Sequence, residues 1–149
     1  MSTVSDFILE AKACVGKDLS WCNTHFNTSF NNNWCAWFAS ECGKAAGMSF
    51  KYNTAASSIS GSQGNKDIGT VTPKAGDLAL ISYGTTISHV GIIVKVDSSG
   101  NIYTVEGNLS GNGDYTASRV RNLEAENFPY PPSGISTHGF GKILKIGVN

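Results

Sequence analysis

Apolar residues change their spacing once along this chain, and that change decides the fold class. Val4, Phe7, Ile8, Ala11, Cys14 and Val15 recur three and four apart and stop at Gly16, the pattern of an amphipathic helix closed by a glycine. A second such stretch spans residues 34–46, with Cys35, Phe38, Ala39, Cys42, Ala45 and Ala46 on one stripe and Gly47 after it. Beyond the turn sequence Pro73-Lys74-Ala75-Gly76 the period becomes two, and residues 77–82, 88–96, 101–106, 116–122 and 139–146 read as strands. Helices followed by a run of strands imply an α+β fold with an antiparallel sheet.

Two segments fall outside these patterns. Residues 17–33 are polar, hold five Asn and carry Trp21, His25 and Phe26, which reads as an ordered loop whose Asn32 or Asn33 caps the second helix. Residues 49–76 are rich in Ser, Gly, Thr and Asn, with a short helix expected around 54–59. At 149 residues and 40% hydrophobic content there is material for one core, so 1–149 reads as a single domain. Eleven basic residues balance eleven acidic ones, which leaves no electrostatic footprint for nucleic acid or an anionic membrane. No basic segment and apolar run open the chain, and no stretch approaches the roughly 20 apolar residues of a spanning helix. Synthesis in the cytoplasm without a signal peptide, and no membrane insertion, are the expectations.

Cys35 opens the second helix, where free N–H groups favour a thiolate. Lowering a thiol from about 8.5 to roughly 3.5–7 takes several kcal/mol at about 1.36 per pKa unit, whereas a helix end contributes about 2 at best. An imidazolium must supply the rest, and Ser88-His89-Val90-Gly91 offers one on a strand. If residues 97–100 form a four-residue loop, Val96 stands opposite Asn101, and the register places His89 against Asn108, Gly91 against Glu106, Ile92 against Val105 and Val94 against Tyr103. His89, Glu106 and Asn108 then share one face. A loop one residue longer or shorter reverses the faces.

The other cysteines form an odd set, so at most one structural disulfide fits, with Cys14 and Cys22 the better pair. Without an export signal they are expected as reduced, buried thiols. A zinc site of Cys14, Cys22, His25 and Cys42 has spacings that match no finger or ribbon, so packing is the preferred reading. His25 and His138 read as a loop residue and a residue at the start of the last strand.

Asn33-Trp34-Cys35-Ala36-Trp37-Phe38, Pro73-Lys74-Ala75-Gly76-Asp77-Leu78, Ser88-His89-Val90-Gly91-Ile92, Val105-Glu106-Gly107-Asn108 and Gly139-Phe140-Gly141-Lys142 follow one another in an order that resembles the cysteine, histidine-dependent amidohydrolase/peptidase (CHAP) domain. The resemblance implies a papain-like fold, N-terminal helices packed on an antiparallel sheet of about five to six strands. It also implies hydrolysis of a peptidoglycan amide with Cys35 as nucleophile, His89 as general base and then acid, Glu106 orienting His89, and Asn108 as a supporting polar group. Many members carry Gln before the nucleophile. This chain has Trp34, and one of Asn31, Asn32 and Asn33 is expected to replace that oxyanion donor. No Asp-rich loop like the calcium site of some members precedes Cys35, so no metal or cofactor is expected.

Trp34, Asn33 and Tyr83 flank the proposed site in sequence and are the substrate-binding candidates, with Trp37 ranked below them as core. Tyr115, Tyr130 and the Pro129-Tyr130-Pro131-Pro132 loop are candidates for a cleft wall. Bacterial peptidoglycan is the expected partner, and the cell wall the place of action. A phage-type endolysin or an autolysin, an interbacterial amidase toxin with an immunity protein, and a non-catalytic wall-binding domain are the competing readings. A separate wall-binding module outside this chain fits the first.

Overall fold

The computed structural model describes residues 3–136 and 141–149. Three helices, α1 (Thr3–Ala13), α2 (Leu19–Phe26) and α3 (Cys35–Ala45), precede six strands. The strands are β1 (Asn65–Asp67), β2 (Leu78–Ser82), β3 (Ile87–Val96), β4 (Ile102–Leu109), β5 (Arg119–Asn122) and β6 (Lys142–Gly147). They form one antiparallel sheet in the order β1-β6-β2-β3-β4-β5. This is the expected α+β arrangement of N-terminal helices against an antiparallel sheet. Among the described residues no helix is long and apolar enough to cross a membrane.

The segment read as a loop contains α2. Asp18 caps it, its Oδ1 accepting the Trp21 N–H at 2.9 Å, and Asn27 ends it in the left-handed region at φ 57°. Leu19 and Cys22 bury themselves from it, while His25 is exposed on a helix rather than a loop. Polar residues on the outer face of so short a helix masked its period. The segment around 54–59 is a single turn closed by Ile59 N–H on Ala55 O at 3.1 Å. The short β1 had no apolar pattern to announce it.

Both faces of the sheet are covered. Leu78, Leu80, Val90, Ile92, Val105 and Val120 pack with Phe7 and Ala11 of α1, with Trp34, and with Trp37 and Phe38 of α3. Ala79, Ile81, Ile93, Ile143 and Ile146 face the other way and pack with Leu123 and Tyr130. Lying between α1 and the sheet, α3 is buried around its circumference from Cys35 to Gly43, so its burial is wider than the expected stripe. Ala45, assigned to that stripe, is exposed. Close approach is what Gly107 permits: a Cβ there would lie 2.9 Å from Cβ of Phe38.

The β3–β4 register contains two departures that cancel. Val96 pairs with Ile102, not Asn101, so the connection is one residue longer than expected. Asp97 holds this longer turn, its Oδ1 accepting the N–H groups of Ser99 at 3.0 Å and Asn101 at 2.9 Å. A bulge at Val94 takes up the extra residue, and Lys95, not Val94, stands opposite Tyr103. Below the bulge Ile92 pairs with Val105 and Ile93 with Thr104, as expected. The bulge therefore returns Glu106 to the face that the longer loop alone would have taken from it.

Strand ends differ modestly: β4 runs on to Leu109 and β5 starts at Arg119. Of the last expected strand, Gly139 and Phe140 lie outside the described residues, as does His138.

Candidate active site

The first residue of α3 is Cys35, only 6% exposed. Trp34 occupies the N-cap position and provides no side-chain cap, so neither Asn32 nor Asn33 caps the helix as expected. The Asn33 N–H instead bonds Asn32 Oδ1 at 2.8 Å. Uncapped N–H groups at this end are available to a negative charge.

His89, 4% exposed, stands near the start of β3, and its side chain interacts electrostatically with that of Cys35. Its Nε2 donates to Glu106 Oε1 at 2.6 Å, which leaves Nδ1 for the sulfur. Glu106 is fully buried, and its other oxygen accepts Thr104 Oγ1 at 2.5 Å and, more weakly, Tyr130 Oη at 3.4 Å. A fully buried carboxylate is thus held by three donors. Gly91 makes this line-up possible, since a Cβ there would lie 2.8 Å from Glu106 Cγ. The glycine of Ser88-His89-Val90-Gly91 clears the path along which Glu106 reaches back to His89.

The electrostatics follow from this row of groups. Burial pushes the Cys35 thiol up, but His89 and the backbone N–H groups of Val90 and Ala36 outweigh it, and the net shift is downward. Burial pushes the His89 imidazole down, yet Cys35 and Glu106 raise it to about 10. Both shifts favour the thiolate–imidazolium form of the pair.

The other expected site residues divide. Tyr83 is in place: its ring lies 5.8 Å from that of His89, and it is 54% exposed. Asn33 is exposed one residue before the cap. Trp34 is fully buried, with Nε1 donating to Tyr115 O at 2.9 Å and Ser118 Oγ at 3.0 Å, so it cannot line a groove. Asn108 is not brought to His89. Its backbone enters the left-handed region at φ 61°, which breaks the alternation, and its Oδ1 accepts from Ser118 Oγ at 2.7 Å. Tyr130 is no cleft wall, being fully buried behind Glu106. Tyr115 does line a cleft of about 670 Å³ between α2 and the 115–116 turn, with Asn23, Phe30 and Asn31.

Sequence reasoning missed Thr104, Tyr130 and Ser118. Thr104 was legible, because it stands two residues before Glu106 and so shares its face. Ser118 and Tyr130 reach their partners across loops, which no periodicity reports.

Comparisons with known proteins bear on the fold and the family. The solved structure titled "The crystal structure of Ly7917" superposes with a TM-score of 0.52 at 17% identity, covering 98% of this chain and 62% of that one. The likeness concerns the fold, and the chain spans less than two thirds of that protein's length. No curated protein sequence matches. A family profile, described as the CHAP domain, matches residues 27–108, a span that runs from the end of α2 through Cys35, His89 and Glu106 to Asn108. Over half of its length, including every member of the Cys–His–Glu row, this chain belongs to the CHAP domain family.

Proposed function

We propose that the chain hydrolyses an amide bond of bacterial peptidoglycan, either between muramic acid and L-alanine or within the stem or cross-bridge peptides, and so lyses cells. CHAP domains are amidase- and peptidase-type hydrolases, and that class of reaction follows from membership. The observation that supports the proposal most is the buried row of Cys35, His89 and Glu106, with Nε2 of His89 2.6 Å from the carboxylate.

In this reading the Cys35 thiolate attacks the amide carbonyl, and the Cys35 backbone N–H at the uncapped start of α3 receives the oxyanion. A side chain of the Asn31 to Asn33 run supplies the second donor. His89 then protonates the departing amine, and afterwards takes a proton from the water that releases the thioester. Glu106 keeps the ring oriented and favours its charged form. Tyr83 and Asn33, both exposed, contact the substrate.

Purified protein and its Cys35→Ala variant, incubated with cell walls from several Gram-positive species, provide the test. Turbidity follows lysis, and mass spectrometry identifies the released ends. New amine or muramoyl carboxyl termini made only by the unaltered protein name the bond. Walls left intact by both proteins would favour the wall-binding reading instead.

A further inference from the structure

At the end of the helical layer away from the catalytic row, three thiols, an imidazole and a carboxylate come together from three helices. Cys14 follows α1, Cys22 and His25 belong to α2, and Cys42 belongs to α3. The Cys14 thiol donates to Glu10 O at 3.4 Å, and Cys14, Cys22 and Cys42 are all fully buried with no disulfide. One ligand atom each of Glu10, Cys14 and His25 lies within 4.8 Å of the others. His25 Nε2 is 2.5 Å from Glu10 Oε1, and Trp21 stacks on the ring at a centroid distance of 4.8 Å.

We propose that this cluster binds a thiophilic divalent cation of the zinc type, with Cys14, His25 and Glu10 as ligands and the buried thiols of Cys22 and Cys42 beyond them. Around a tetrahedral zinc with bonds of about 2.3 Å to sulfur and 2.0 Å to nitrogen, donor atoms stand roughly 3.5–3.8 Å apart. The observed limit of 4.8 Å among Cys14, His25 and Glu10 leaves a contraction of about 1 Å between these three donors. Binding displaces the Cys14 thiol proton to solvent, as any thiolate site requires. The cation's way in is from the His25 and Glu10 side, where the side chains are 34% and 26% exposed.

Spacing along the chain concealed this set because its members come from separate helices and not from one knuckle. It is also independent of the catalytic row, since Cys35 and His89 are not among its members.

The test uses the full chain in a Cys35→Ala background, purified under reducing conditions and titrated with Co²⁺. Expected are one equivalent bound, a thiolate-to-cobalt charge-transfer band, tetrahedral visible bands and their displacement by Zn²⁺. Cys14→Ser, Glu10→Gln and His25→Ala are each expected to weaken binding by about 10²-fold or more. His25 is exposed, so His25→Ala removes no core volume and keeps the test decisive where a thiol variant fails to fold. Absence of the bands, bands unchanged in His25→Ala, or a metal-free protein carrying a Cys14–Cys22 disulfide would each overturn the proposal.

Discussion

The molecule presents the trio of cysteine, histidine and glutamate twice, and the contrast explains what makes a thiol useful. Cys35, His89 and Glu106 are all buried, the thiol at the start of a helix and the carboxylate fully enclosed. Cys14, His25 and Glu10 are assembled at the far end of α1, with the histidine and glutamate partly in solvent. Both thiols are lowered, but by different partners. His89 and backbone N–H groups draw the Cys35 pKa down, and chiefly two neighbouring thiols that of Cys14. A helix N-terminus favours the first charge, whereas the C-terminal end near Cys14 opposes the second. A nucleophile also requires an acid for the leaving group. His89 is held by Glu106, Thr104 and the gap at Gly91 within the core, whereas His25 is held by Glu10 and stacked on Trp21 with its side chain 34% exposed.

The sharpest way to break this comparison is to exchange the roles by mutation. Cys35→Ala and His89→Ala should each lower wall hydrolysis by about 10³-fold or more, whereas Cys14→Ser and His25→Ala should remain within about threefold of the unaltered rate. A Cys14→Ser loss as deep as that of Cys35→Ala, in protein shown by circular dichroism to be folded, would dissolve the distinction. Next in size, Glu106→Gln should lose about 10²-fold in kcat, since it leaves the ring in place while withdrawing the charge that favours imidazolium. Gly91→Ala pushes a methyl against Glu106 Cγ, and should lower the unfolding free energy by about 1–3 kcal/mol together with kcat; thermal melts and rates on one sample check both.

The pH profile sharpens the contrast further. Thiolate and imidazolium are together present only above the lowered pKa of Cys35 and below that of His89, which is raised to about 10. A plot of kcat/KM should therefore keep its plateau into mildly alkaline solution and fall near pH 10. A fall centred near 6.5, the value of an unperturbed imidazole, would show that Cys35 and Glu106 do not hold His89 charged. The smallest effect is expected at Tyr83, where Ala should raise KM a few-fold with kcat nearly unchanged.

Much of the site was legible because each of its parts rests on a local rule. Cys35 follows an Asn run and begins a helical stripe, and His89 and Glu106 lie on strands whose alternation assigns their faces. The β3–β4 register was read correctly at Ile92 and Val105, although the reason assumed was incomplete. A longer turn and the Val94 bulge offset one another, and neither leaves a signature in a hydrophobic pattern. Asn108 was misplaced for a related reason: alternation assumes extended backbone, and this residue turns left-handed. Trp34 looked like a groove residue from its place beside the nucleophile, but its indole N–H found buried acceptors in Tyr115 and Ser118, more than eighty residues away.

From the residues in order came the α+β class, the glycine-stopped α1, most of the sheet, and the identities of the thiol, the imidazole and the carboxylate. These depend on spacing and side-chain chemistry, which are local properties of a chain. The tertiary structure decided which of four cysteines meets an oriented histidine, which polar groups close around Glu106, and that Cys14, Cys22 and Cys42 converge from three helices. Such decisions belong to contacts between residues far apart in the chain, where packing and register select among partners that spacing leaves equivalent.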